Sequence, residues 1–200
     1  MHLFTLDLEG VFVPEIWIAV AEKTGIKELS LTTRDEPDYN KLMRYRLNIL
    51  DREGVKIADI QSVIGSMNPL EGAKEFIDWL KGCGRVVILS DTFEQFARPL
   101  MEKLGFPTLF CHELQIEPCG RISGYKLRIA DQKRKSVEAF KALNFNVIAS
   151  GDSYNDLSML RAADSAVLYR PTPKFAAENP DLPVAENFAE LKAQFQKLMA

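Results

Sequence analysis

The strongest constraint on this chain's fold is a series of short apolar runs, HLFTLDL, RVVILSD, NVIASGD and SAVLY, of which the first three each end at a carboxylate. Runs of this length, rich in Val, Ile and Leu, suit strands buried on both faces of a parallel sheet. Between them, apolar spacing predicts helices over 71–82 (closed by Gly82), 93–105 (closed by Gly105), 133–144 and 154–163. Strand and helix in alternation predict an α/β fold: a three-layer, doubly wound (Rossmann-like) parallel-sheet core with helices on both faces.

Two stretches break the alternation. Residues 14–70 carry helical patterns without a convincing strand, which predicts a small helical cap inserted after the first strand, leaving 1–13 and 71–200 as the core. Residues 107–130 instead read as strands around the turn EPCGRISG, a hairpin or flap beside the sheet. The segment from Pro171 to Pro183 reads as a loop with one helical turn, and a terminal helix is expected from about Asn187.

Composition narrows the partners. A 200-residue chain with 46% hydrophobic residues and a net charge of -3 matches a soluble globular protein, with no electrostatic footprint for nucleic acid or an anionic membrane. Asp7, Glu9 and Glu15 interrupt the apolar N-terminal stretch before a membrane span forms. The three cysteines, Cys83, Cys111 and Cys119, are odd in number and lack C-x-x-C spacing, so a cytoplasmic protein with buried or inert thiols is expected. His2 and His112, the only histidines, lie too far apart in sequence to suggest zinc chemistry.

The chemistry concentrates at strand ends. Asp7 and Glu9 close the first strand and Gly10 follows, where the chain has to turn out of the sheet. Alone, such a segment is an ordinary polar start to a loop. It is joined by Ser90, Asp91 and Thr92 after the second run and by Asp152, Ser153, Asn155 and Asp156 after the third, while Lys133, Arg134 and Lys135 open the preceding helix. Carboxylates gathered at one edge would repel each other and an incoming phosphate unless a hard cation bridges them, and Mg²⁺ prefers oxygen ligands. The carboxylate left facing phosphorus can then act as a nucleophile.

LDLEG, ILSDT, a lysine and GDSYND, in that order, resemble the four motifs of the haloacid dehalogenase superfamily, and the helical insert resembles the cap of its phosphoserine phosphatase branch. The resemblance implies Asp7 as nucleophile, Glu9 as general acid and base, Ser90 on a phosphate oxygen, and Lys133 neutralising phosphate and nucleophile. It implies Mg²⁺ held by Asp7, the backbone carbonyl of Glu9 and Asp152, with Asp156 acting through water or at one remove, and Asn155 beside the phosphate. Lys133 aligns with the family lysine, leaving Arg134 and Lys135 to solvent.

In the insert, helical spacing puts Arg46 on the face shared by Leu42, Ile49 and Leu50, where a charge needs an anion. An internal salt bridge would satisfy it. RYRLNIL, however, resembles the segment whose second arginine grips the substrate carboxylate, and Glu15 resembles the glutamate that receives the substrate amino group. Two departures alter the pocket: Glu9 stands where the family usually has aspartate, and Asp91 and Thr92 replace a frequent glycine pair. LDLEG, VPEIW and LSDTF together most resemble a bacterial branch able to use phosphoserine as donor and homoserine as acceptor. The simpler expectation is a plain phosphoserine phosphatase. A receiver-like phosphoacceptor module would share an aspartate, a hydroxyl residue and a lysine, but would have no reason to carry an enclosing cap.

Overall fold

A computed structural model describes residues 1–33, 35, 36 and 38–200. Arg34 and Pro37, inside the expected insert, lie outside the described residues. In chain order the elements are β1 (His2–Leu6), α1 (Ile16–Thr24), α2 (Tyr39–Arg52), α3 (Ile57–Ser66), α4 (Ala73–Cys83), β2 (Arg85–Phe93), α5 (Glu94–Lys103), β3 (Thr108–Ile116), β4 (Ile122–Lys126) and α6 (Gln132–Ala142). Then follow β5 (Asn146–Gly151), α7 (Leu157–Ala162), β6 (Ser165–Tyr169), α8 (Pro173–Glu178), β7 (Val184–Ala185) and α9 (Phe188–Met199). A short 3₁₀ turn, Lys27–Ser30, precedes α2, and another, Tyr154–Asp156, precedes α7.

The strands form one sheet in the order β4-β3-β2-β1-β5-β6-β7, parallel except for the β3–β4 pair. β1 is central, and the chain winds outward from it in both directions, so its carboxyl end lies at the point where the strand order reverses. Open α/β sheets bind ligands in that crevice. Side chains alternate across the sheet: Phe4, Leu6, Ile88 and Ile148 join a cluster with α4, α5 and α9, whereas Leu3, Val87, Leu89 and Ala149 face α6, α7 and α8. Val20, Met43 and Ile60 of the inserted helices belong to the first cluster. These helices therefore share one apolar cluster with that face of the sheet.

Several boundaries differ from the sequence expectation. The helix expected to close at Gly82 runs through it to Cys83 and stops at Gly84, whose N–H still reaches the Leu80 carbonyl. β2 continues past Asp91 to Phe93, because Phe93 pairs with His112 after an irregularity in the ladder. The expected flap is part of the main sheet: β3 pairs in parallel with β2 through Val87–Leu89 before turning into the antiparallel hairpin with β4. The short β7, which pairs Val184 and Ala185 with Leu168 and Tyr169, had no sequence signal of its own. The helix expected over 154–163 begins as the 3₁₀ turn and becomes α-helical at Leu157. The three cysteines are free: Cys119 is exposed at the hairpin turn and Cys83 and Cys111 are partly buried, where burial pushes the Cys111 thiol up to about 12. Among the described residues, no helix is long and apolar enough to cross a membrane.

Candidate active site

The carboxyl ends of β1, β2 and β5 converge. Asp7 leaves β1 with its N–H on the Ser150 carbonyl (3.1 Å), and its Oδ1 accepts the Leu8 N–H at 2.8 Å. Asp152 and Asp156 follow β5, and one oxygen from each of Asp7, Asp152 and Asp156 lies within 4.8 Å of the others. All three residues are buried. Two glycines permit this packing. Gly10 has φ +79°, and a Cβ there would sit 2.8 Å from the Asp152 carboxylate; a Cβ at Gly151 would overlap Asp156.

One ammonium enters the cluster. Lys133, in the first turn of α6, is buried with Nζ 2.9 Å from Asp7 Oδ1, 2.7 Å from Asp156 Oδ1 and 3.9 Å from Asp91 Oδ2. Arg134, beside it, pairs with Asp131 and Glu138 at the surface, and Lys135 is exposed. Asp156 Oδ2 accepts the N–H groups of Asp152 (3.0 Å) and Ser153 (3.2 Å), so its two oxygens hold the loop and the lysine at once. Burial and the neighbouring Asp156 raise the Asp7 carboxyl well above its usual range, against the opposing pull of Lys133. Asp7, Asp152 and Asp156 thus gather three buried carboxyl groups, of which Asp7 and Asp156 touch the one lysine. That all-oxygen donor set fits a hard divalent cation.

Glu9 turns away from this cluster. Its Oε2 accepts the Ile16 N–H at 2.9 Å, at the start of α1. Burial, with Glu15 next, raises its carboxyl to about 7, while the Ile16 bond, Arg46 and Thr92 pull the other way. Ser90 is buried, its Oγ accepting the Thr92 N–H at 3.3 Å. Asn155 Oδ1 accepts from Ser153 Oγ at 2.5 Å. Asp7, Glu9, Glu15, Arg46, Ser90, Asp91, Thr92, Asp152 and Asn155 all line one cavity, with Lys133 behind Asp7. The sequence-predicted residues are thus brought together.

Arg46 is 5% exposed, although it carries a full charge. Its guanidinium lies over the Trp17 ring (4.5 Å to the centroid), donates to the Leu31 carbonyl at 2.7 Å and leaves its buried Nε without a hydrogen-bond partner. Burial lowers its pKa to about 10, offset in part by Glu9, Tyr39 and Glu15. A buried guanidinium with unspent donor capacity is suited to receiving an anion.

Sequence reasoning missed the residues behind this wall. Trp17 lies in VPEIW without a role of its own, and Tyr39, Gln132 and His112 are assigned none; the fold brings them to the site. Gln132 Nε2 donates to the Ser90 carbonyl (2.5 Å) and to Asp91 Oδ1 (3.3 Å). His112 Nδ1 accepts the Arg128 N–H at 3.2 Å, which puts the neutral ring's hydrogen on Nε2, 3.4 Å from Asp91 Oδ1. Burial opposes ionisation of Asp91, yet Lys133 and His112 hold its carboxyl well below the usual range.

The model of haloacid dehalogenase-like hydrolases matches residues 8–164. The chain belongs to that family. Within this hydrolase family it is 55% identical over 197 residues to phosphoserine phosphatase ThrH of Pseudomonas aeruginosa, covering 98% of this chain and 96% of that one. It is 56% identical to a phosphoserine phosphatase of Pseudomonas syringae pv. tomato, covering 98% and 83%. A crystal structure of a phosphoserine phosphatase in apo form superposes with a TM-score of 0.78 at 23% identity, covering 97% of each chain, which establishes the shared hydrolase fold.

Proposed function

We propose that this protein is a Mg²⁺-dependent phosphoserine phosphatase that can also transfer the phosphoryl group from phosphoserine to homoserine through an aspartyl-phosphate. The observation that carries the reading is the single cavity that joins the Asp7–Lys133 pair, the Glu9 carboxyl and the buried Arg46. The 55% identity to ThrH, over nearly the whole of both chains, supports the choice of substrate. In this reading residues 14–70 are the cap, residues 1–13 and 71–200 carry the catalytic floor, and the enzyme works on small molecules in the cytoplasm, with no nucleic-acid or membrane partner.

Asp7 attacks phosphorus, the bond to the serine oxygen breaks, and Glu9 gives that oxygen its proton. A water or a homoserine hydroxyl then loses its proton to Glu9 and attacks phosphorus, and Asp7 leaves. A Glu9 carboxyl near 7 can serve in both directions close to neutral pH. Ser90 and Lys133 hold phosphate oxygens, and Asp91, Thr92 and Asn155 shape that pocket. Arg46 receives the amino-acid carboxylate and Glu15 the ammonium. Mg²⁺ would be held by Asp7, the Glu9 carbonyl and Asp152, with Asp156 acting through water. When bound, the ion supplies positive charge against the gathered carboxylates and the phosphate.

Homoserine is serine with one more methylene, so the same two contacts can hold it while its hydroxyl reaches one atom further toward phosphorus. A well-aligned bound nucleophile reaches effective molarities of about 10⁵ M or more, against water at roughly 55 M. The test is ³¹P NMR of phosphoserine with the enzyme, with and without Mg²⁺ and homoserine. Homoserine phosphate should overtake inorganic phosphate at saturating homoserine, and chelation should stop both. Inorganic phosphate alone across a wide homoserine range would leave the phosphatase and remove the transferase; unconsumed phosphoserine would overturn the whole reading.

A further inference from the structure

Tyr39 opens α2, immediately after the N-cap Asp38. Its half-buried side chain lines the reaction cavity together with Glu9 and Arg46, and its hydroxyl donates to the backbone carbonyl of Asp91 at 2.8 Å. The bond crosses from the inserted helices to the strand that carries Ser90. Asp91 is fixed from its other side by Gln132 at 3.3 Å and His112 at 3.4 Å, and the Tyr39 ring stands edge-on to His112 with centroids 5.7 Å apart. The hydroxyl therefore anchors α2 to a part of the core that is itself held rigidly. Burial, with the Asp91 charge next, keeps the phenol well above its ordinary pKa, so it remains a donor.

The β3–β4 hairpin makes further bonds to the insert. Tyr125 Oη donates to Asn40 Oδ1 at 2.6 Å, Arg121 Nε pairs with Asp51 Oδ1 at 2.6 Å, and the Ile57 N–H reaches the Gly120 carbonyl at 3.0 Å. The Tyr125 and Arg121 side-chain contacts are exposed to solvent, where such pairs contribute little. The Tyr39 bond differs in joining the insert to the cavity wall itself.

We propose that Tyr39 is a positioning residue that latches the inserted helices over phosphorylated Asp7 and so sets how the phosphoenzyme divides between an acceptor held in the cavity and nucleophiles from solvent. This rests on the aspartyl-phosphate of the proposed function. A bound hydroxyl gains from alignment only while the cavity stays closed, whereas solvent gains from each opening. Losing the hydroxyl raises the open fraction, weakens retention of the amino acid and admits solvent.

The experiment compares wild type with Tyr39→Phe, which keeps the ring, and with Tyr125→Phe, which removes a neighbouring bond outside the cavity. Phosphoserine is supplied with homoserine in one series and methanol in another, and ³¹P NMR measures homoserine phosphate, methyl phosphate and inorganic phosphate. In methanolysis the methanol oxygen bonds to phosphorus, the Asp7–phosphorus bond breaks and the methanol proton passes to Glu9. For Tyr39→Phe, KM for phosphoserine should rise about 5- to 10-fold, as for loss of an ordinary hydrogen bond, with a smaller fall in kcat. The ratio of homoserine phosphate to inorganic phosphate should fall and methyl phosphate should gain, while Tyr125→Phe keeps the wild-type ratios. If Tyr39→Phe lowers only the thermal midpoint, with KM and product ratios unchanged, the bond is structural and the proposal fails. An equal shift in both variants assigns the effect to the hairpin and also overturns it. Wild-type enzyme that leaves phosphoserine untouched would sink the proposed function instead, and p-nitrophenyl phosphate as donor in methanol would then still decide whether Tyr39 acts as a latch.

Discussion

Lys133 Nζ stands 2.9 Å from Asp7 Oδ1 with both side chains shut away from solvent, and the same ammonium reaches Asp156 at 2.7 Å. It is the cation that makes a buried cluster of carboxylates tolerable. Burial alone would lower a lysine pKa; here Asp156, Asp7 and Asp91 outweigh it, and Lys133 is held well above its usual range. Lys133→Met should therefore abolish turnover and destabilise the metal-free protein by about 3–5 kcal/mol, the usual cost of breaking a buried ion pair. Chemical denaturation with and without Mg²⁺ checks it: the ion should restore more stability to the variant than to wild type, and equal midpoints without metal would contradict this role for the lysine.

Asp7→Asn should separate function from stability. Burial and Asp156 raise the Asp7 pKa, so its ionised form is a burden on the folded state at neutral pH. The amide keeps the shape, loses the charge that the proposed nucleophile needs and relieves repulsion. Phosphoserine hydrolysis should vanish while the metal-free thermal midpoint holds or rises. Near-wild-type turnover by the folded variant would refute the assignment.

Glu9→Gln tests the proton path. In the proposed reaction the acceptor hydroxyl would lose its base, so breakdown of the phosphoenzyme should slow by about 10² to 10⁴. Rapid-quench experiments should find phosphorylated enzyme accumulating. Unchanged breakdown would mean that a different group takes the proton.

Arg46→Ala should discriminate between substrates. The guanidinium can pair only with a substrate that carries an anion beyond its phosphate, so phosphoserine kcat/KM should fall far more than that of a simple phosphate monoester. Equal losses would show that Arg46, through Trp17 and the Leu31 carbonyl, merely holds the insert together.

Asp164 predicts a pH signature away from the site. Its carboxylate accepts the Val147 N–H at 2.8 Å and pairs with Lys141 at 2.9 Å; although burial opposes ionisation, these contacts hold its pKa below the ordinary 3.8. A lowered folded pKa means that the contribution is fully present above about 3.8 and is lost as pH falls through the folded value. Asp164→Ala should cost under about 1 kcal/mol at pH 7, since the carboxylate is open to solvent, with the gap to wild type closing in acid. A constant gap from pH 7 to pH 2 would exclude the charged interaction.

The linear chain already determined the sheet's inner strands, the helices that alternate with them and the polar residues that gather at the strand ends to form the candidate site. Strand periodicity is local, and Asp7, Glu9, Ser90, Lys133, Asp152 and Asp156 sit beside the strand ends or helix start that position them. Arg46 was legible for a related reason, since helical spacing alone put a charge on an apolar face. Other features depended on distant partners. β7 is a strand only because β6 offers it an edge, and β3 belongs to the main sheet only because β2 runs beside it. Tyr39, Gln132 and His112 lie far apart along the chain and carry no local pattern, yet they meet around Asp91. Periodicity and capping act within a few residues, so they mark elements and the groups at their ends; which side chains close the space between elements is decided by packing across the whole chain, and only the tertiary structure decided it.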